Sequence, residues 1–299
     1  MLDAIAHYKV LGSLGTGGLG EVYRARDTRV GRTVAVKVLP DSIADDPERL
    51  TDLLDTARRA AALSHPNIAT LFETGEDAGR RYLVYEFVPG DQLTSLIEGR
   101  ALNVRRVVEL GIQLADALAD AEAAGMAHGD IRPANIVVTS KDRAKFMNFG
   151  LARFTAGGAN RRTSAAIYVA PEESAAQSDD VRSDIFSLGA VLFEMLTGRQ
   201  RGKGLAPSSL NKNVPQELDR IVGRMLASNI QNRYQSAATV AAELRSMAAI
   251  LEARATAEEA AYVPPRRQRF GPVSLAMSVA AIAVAVALGV WLWRLLMIR

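Results

Sequence analysis

Short apolar runs rich in β-branched residues, separated by glycines, open the chain. They predict strands over Tyr8–Leu14, Glu21–Arg26 and Thr33–Leu39. The period then lengthens: Leu50, Leu53, Leu54, Ala57 and Ala61 recur at helical spacing, which predicts a helix over Pro47–Leu63. Ile68–Thr74 and Arg81–Phe87 read as two further strands, and Pro89-Gly90 breaks the pattern as a hinge between two lobes would. Beyond it the chain reads as mainly helical. Val107, Leu110, Leu114, Leu118 and Ala121 mark one face of a helix ending at Gly125. Ser183–Leu196 is closed by Gly198, and Pro215–Ala227 and Ser236–Ala261 complete the set. No internal repeat is evident.

The last apolar stretch is of another kind. From Phe270 to Trp293 no residue is charged, and Val273–Trp293 is long enough to cross a hydrocarbon core of about 30 Å. Trp291 and Trp293 stand at one end as an interfacial belt would, and Arg266, Arg267 and Arg269 flank the other, as on the cytoplasmic side of a span. A buried core helix is the competing reading, against which the length and the lack of a polar face both count. The expectation is a single-pass helix at 273–293 in the inner or plasma membrane, with residues 1–262 cytoplasmic. Residues 251–272 would be a helical extension and basic juxtamembrane linker, and 294–299 a short extracytoplasmic tail without a sensor domain. Pro264-Pro265 lies in the linker Tyr262–Phe270, whose nine residues reach at most about 30 Å. The N-terminus has neither the basic start nor the apolar run of a signal peptide.

Composition changes the picture in two places. With no cysteine, disulfides, cysteine-zinc sites and iron-sulfur clusters are excluded. The net charge of +3 comes from the tail: residues 263–299 hold five arginines and no acid, which leaves −2 for residues 1–262. The folded part is near neutral and offers no case for nucleic-acid binding.

Candidate chemistry lies in a series of motifs. Gly15-Thr16-Gly17-Gly18-Leu19-Gly20 followed by Val22 would let backbone approach phosphate oxygens. Alone the pattern is weak, since glycine-rich hairpins are common, but its place between two strands argues against a dinucleotide-binding fold. Lys37 follows Val34-Ala35-Val36 within an apolar strand run, where a cation is costly to bury without a task. His128-Gly129-Asp130-Ile131-Arg132-Pro133-Ala134-Asn135 is followed by Asn148-Phe149-Gly150, Ala170-Pro171-Glu172, Asp184 and Asn232-Arg233-Tyr234. An aspartate in a surface turn is usually only a turn residue; the register of the other motifs gives Asp130 its weight.

In this order and spacing the motifs resemble protein kinases over residues 8–250, and among these the bacterial transmembrane serine/threonine kinases. The resemblance implies an α+β, bilobal kinase fold, with a β-rich N-lobe (8–88) and a helical C-lobe (91–250). It implies ATP and magnesium as cofactors, a protein substrate or partner, and a role in signalling. By the same resemblance Leu14, Gly15, Gly17, Gly20, Val22, Lys37, Glu86 and Val88 would surround ATP, with Tyr85 bordering the adenine pocket. Asp130 would be the catalytic base, Arg132 a phosphate neutraliser, and Asn135 and Asn148 the metal ligands. Thr163 and Ser164 would be possible phospho-acceptors, and Glu172, Asp184 and Arg233 structural.

Four positions depart from the family's pattern. Asn148 replaces the magnesium-binding aspartate, so metal binding is expected to be weakened. Thr56 stands where a glutamate should orient Lys37; Asp52, one turn earlier, could substitute if the helix shifts. Gly129 replaces an arginine that docks phosphorylated loops, and Ala165 a threonine that contacts the base. After Gly198 the chain is also short before Pro215. Together they predict a pseudokinase or scaffold that binds ATP. A slow but active kinase, and a lipid or small-molecule phosphotransferase, are the alternatives.

Overall fold

The computed structural model describes residues 2–154, 166–172, 180–202, 204–261 and 272–297. They divide into two units, Met1–Glu252 and Ala253–Arg299. In the first unit, strands Ala4–Ile5 (β1), Tyr8–Gly17 (β2), Gly20–Asp27 (β3), Thr33–Val38 (β4), Leu71–Asp77 (β5) and Arg80–Glu86 (β6) form one antiparallel sheet, ordered β1-β2-β3-β4-β6-β5. Between β4 and β5 lie the helices Asp41–Ala44 (α1) and Pro47–Ala61 (α2). Helix α2 begins cleanly because the Asp46 carboxylate accepts from the Arg49 N–H at 3.0 Å and Pro47 has no N–H to satisfy.

The pleat of β4 sorts its side chains into two apolar clusters. Val34 and Val36 join Ile5, Tyr8, Ala25 and Val84, whereas Ala35 joins Leu53 and Ala57 of α2, with Leu71 and Leu83. Alternation puts Lys37 on the Ala35 face, the one that α2 covers.

The second lobe opens with a small antiparallel sheet of Gly90–Gln92 (β7), Ile136–Thr139 (β8) and Ala144–Phe146 (β9). Its helices are Leu93–Ile97 (α3), Val104–Ala123 (α4), Val181–Thr197 (α5), Pro207–Leu210 (α6), Gln216–Met225 (α7) and Ala237–Ala261 (α8). Every residue of α5 from Ser183 to Phe193 is buried, so this helix is the axis of the lobe. Gly189 permits α7 to approach it: an added Cβ would lie 2.7 Å from the Met225 Cβ.

Two expectations are corrected. The strand expected over Ile68–Thr74 starts at Leu71, because Ile68 forms a parallel bridge with Phe146 and the Ala69 N–H donates to the Phe146 carbonyl at 2.9 Å. Those residues tie the lobes together instead of extending the sheet. Pro89-Gly90 lies where the chain passes from the six-stranded sheet to the three-stranded one, and Gly90 begins β7. The stretch after Asn135, read only as an apolar run, folds into β8 and β9; strands of three or four residues carry too little period to be recognised.

In the second unit, helix Pro272–Leu296 (α9) covers the expected membrane span. Among the described residues, however, no helix is long and apolar enough to cross a membrane. The linker Tyr262–Phe270, with its three arginines, lies outside the described residues.

Candidate nucleotide and phosphotransfer site

The glycine-rich segment is the hairpin between β2 and β3. Gly17 pairs with Gly20 across the turn Gly18-Leu19, and the register sets Gly15 beside Val22 and Val22 beside Lys37. Three site candidates thus occupy adjacent rungs of three strands. Gly20 has φ +102°, and an added Cβ would stand 1.9 Å from the Val38 carbonyl oxygen, so only glycine fits there. Around Gly15 and Gly17 there is open space, and Leu14 is half exposed. Leu19 turns inward, into the apolar cluster that also holds Leu151 and Phe154.

At the far end of the sheet Val88 is buried, while Glu86 does two jobs. Its N–H donates to the Thr70 carbonyl at 2.8 Å, and its carboxylate takes a 2.9 Å ion pair from Lys145 on β9. This tie between lobes was missed from sequence; the signal available was a lone lysine between Ala144 and Phe146.

Lys37 is 5 % exposed, and burial lowers its pKa from the ordinary 10.5 to about 8. Its Nζ donates to Oδ1 of Asn148 and lies 5.4 Å from the centre of the Tyr85 ring. An ammonium can only donate, so Asn148 must present its oxygen to Lys37 and its Nδ2 to the other side. There the Asn148 Nδ2 donates to Asn135 Oδ1 at 3.2 Å, and the Asn135 Nδ2 donates to Asp130 Oδ2 at 2.9 Å and to the Asp130 carbonyl at 2.8 Å. Arg132 Nε stands 3.6 Å from Asp130 Oδ2. An unbroken chain therefore runs from Lys37 through two amides to Asp130. Asn148 reaches its place with φ +62°, a left-handed conformation that asparagine tolerates better than most residues.

Helix α2 does not supply a partner for Lys37. Thr56 is buried, and its hydroxyl accepts from Arg153 Nη2 at 2.8 Å. The same nitrogen donates to Asp52 Oδ1 at 2.6 Å, so Asp52, which could substitute for the missing glutamate only if the helix shifted, here holds Arg153. Arg49 Nη2 adds a 3.1 Å bond to the Phe154 carbonyl. With Leu151 and Phe154 inside the cluster of the first lobe, the segment after Gly150 is strapped to α2.

The loop carrying Asp130 is held from below. Asp184, near the start of α5, accepts from the N–H groups of His128 at 2.6 Å and Gly129 at 2.9 Å. The buried His128 ring takes the Asp130 N–H on Nδ1 at 3.2 Å, which leaves Nε2–H to donate to the Met147 carbonyl at 3.0 Å. Phe149 packs edge-on to that ring, with centroids 4.9 Å apart. Gly129 has φ +76°, a backbone reason for glycine that its role in the motif did not reveal. Further out, Arg233 forms a two-pronged pair with Glu172 and also donates to the carbonyls of Ala227 at 2.7 Å and Arg182 at 3.1 Å. Thr163, Ser164 and Ala165 lie outside the described residues.

Comparison with known proteins gives a consistent result. The protein kinase domain family matches residues 8–262. The serine/threonine-protein kinase PknB of Mycobacterium tuberculosis is 37 % identical over 257 residues, covering 77 % of this chain and 41 % of the relative. The probable serine/threonine-protein kinase SCO3848 of Streptomyces coelicolor is 38 % identical over 250 residues, covering 75 % and 37 %. The chain thus spans about two fifths of the length of these curated relatives. Among solved structures, the kinase domain of M. tuberculosis PknI superposes with a TM-score of 0.69 at 27 % identity, covering 82 % of this chain and 99 % of that one.

Proposed function

The chain belongs to the protein kinase domain family, with its two-lobed fold of β-rich N-lobe and helical C-lobe, and on that premise we propose that it is a signalling pseudokinase. In this reading it binds ATP, its phosphotransfer step is weakened, and it acts through a protein partner. One observation carries the proposal: Lys37, the phosphate-binding lysine of the resemblance, is bonded to a neutral asparagine where the family keeps a carboxylate. Phosphoryl transfer depends on positioning and charge neutralisation more than on covalent help, so both supports matter.

The family implies ATP with magnesium. Magnesium would cancel charge on the transferred phosphate, and by the resemblance Asn135 and Asn148 are the residues that would hold it. They do not fit it. Both Oδ1 atoms already accept hydrogen bonds, one of them from an ammonium, and neither residue brings the negative charge that a hard divalent ion requires. The steps open to this chain's own side chains are fewer: Lys37 binds phosphate, Asp130 orients or accepts the proton of a hydroxyl, and Arg132 neutralises charge.

A second reading has specific support. Asp130 keeps its 2.9 Å bond to Asn135, and its loop keeps both N–H bonds to Asp184, as a slow but active serine/threonine kinase would require. Radiolabelled autophosphorylation of the full chain separates the two. Incorporation that Asp130→Asn abolishes would refute the pseudokinase reading; its absence supports it.

The uncharged run 273–293 supports a C-terminal anchor in the inner or plasma membrane, with the kinase-like unit cytoplasmic. Resistance of the full chain to alkaline extraction from membranes, lost on deleting 273–293, is the expected result.

A further inference from the structure

We propose that the site takes a nucleoside triphosphate as the bare polyanion and binds it no better, or less well, when magnesium is present; this rests on the nucleotide-binding reading above. Charge is the first argument. Along the chain of bonds from Lys37 to Asp130, the cations Lys37 and Arg132 face a single anion, Asp130, and the two amides between are neutral. Among the described residues of this chain of bonds the balance is +1, where an aspartate at 148 would make it zero. A site with a surplus of positive charge attracts the free triphosphate more strongly than its magnesium complex, which carries less charge.

The second argument is the polarity of the hydrogen bonds. The oxygens of Asn148 and Asn135 are turned toward donors, Lys37 Nζ and Asn148 Nδ2 respectively. A divalent ion reaching Asn148 Oδ1 would have to displace an ammonium and then sit beside it. A phosphate oxygen has the opposite relation: it adds to Lys37, which has spent one of its three donors on Asn148.

The third argument is the state of α2. Among the described residues no carboxylate lies within ion-pair reach of Lys37, because position 56 is a threonine and Asp52 is paired with Arg153. A buried ammonium that lacks an anion gains more from an incoming polyanion than one already neutralised. The same geometry that loses the metal therefore favours the metal-free ligand.

The test is a calorimetric titration of the full chain in detergent with ATP, in EDTA and in excess magnesium chloride. The expected result is an affinity in EDTA equal to that in magnesium or tighter by up to about tenfold. Asn148→Asp, which keeps a residue tolerant of the left-handed conformation, is expected to reverse the order and bind about tenfold more tightly with magnesium. Wild-type binding reproducibly tighter with magnesium than in EDTA would overturn the inference and leave the nucleotide-binding reading intact. Absence of binding in both buffers would overturn both. The wild-type comparison decides the matter even if Asn148→Asp does not fold.

Discussion

Glu172→Ala should lower the stability of this protein by breaking the pair with buried Arg233. Arg233 heads the fully buried side chains by volume, and four of its donor contacts are accounted for by Glu172, Ala227 and Arg182, with the Phe186 ring 4.8 Å from the guanidinium. Removing the carboxylate leaves a buried cation with two carbonyls and only the more distant charge of Asp180, a change that typically costs about 3–5 kcal/mol. Glu172 is itself a quarter exposed, so water can enter and the lower end, about 3 kcal/mol, applies. For a domain of this size that is a fall of about 6–12 °C in the thermal midpoint. Burial alone would raise the Glu172 carboxyl, yet the hydrogen bonds from Arg233 and Ser183 hold it below the ordinary 4.5. Its folded pKa is therefore depressed, and the stability it contributes is complete above about 4.5 and lost as pH falls through the folded value. Thermal and urea denaturation of wild type, Glu172→Ala, Glu172→Gln and Glu172→Leu/Arg233→Met between pH 4 and 8 check this. The double variant should be more stable than Glu172→Ala, because no orphaned charge remains. A loss below about 1 kcal/mol in Glu172→Ala, or a double variant less stable than the single, would refute the reasoning.

Other sites separate stability from binding. Gly20→Ala should lower stability by about 2–4 kcal/mol, since its Cβ would strike the Val38 carbonyl, whereas Gly17→Ala should fold normally; urea midpoints of the two tell them apart. Lys37→Met removes a cation whose charge burial already penalises, so the thermal midpoint should hold or rise while the shift induced by ATP disappears. Arg153→Ala breaks pairs that are partly exposed and should cost less than about 1 kcal/mol, but hydrogen exchange along α2 should quicken, because the strap to Asp52 and Thr56 is gone.

Much of the fold was legible because its signals are local. The helical spacing of Leu50, Leu53 and Ala57 and the apolar face Val107–Ala121 fall within α2 and α4, and the glycine hairpin falls between two strands. The short strands β7 to β9 were not legible, because three or four residues repeat too few times to show a period. Nor was the use of Ile68 and Ala69 to bridge the lobes, where a partner near position 146 decides what an apolar run does. At the site, the residue types and their order pointed to nucleotide chemistry, and they marked Asn148 and Thr56 as the departures. They did not reveal that Arg153 would take both Asp52 and Thr56, since an arginine's reach is not written in its neighbours.

By itself, the amino-acid sequence determined the longer strands and helices and which chemical groups are present to act. It also determined that the two acidic residues which the kinase pattern places near Lys37 are absent. Only the tertiary structure decided who meets whom. Lys37 and Asn148 are 111 residues apart, Arg153 and Thr56 are 97 apart, and Glu172 and Arg233 are 61 apart. Periodicity acts over one turn or one rung, whereas these contacts arise from strand register and from how α2 and α5 pack. That packing turned a lysine without its usual carboxylates into one end of a hydrogen-bonded chain reaching Asp130.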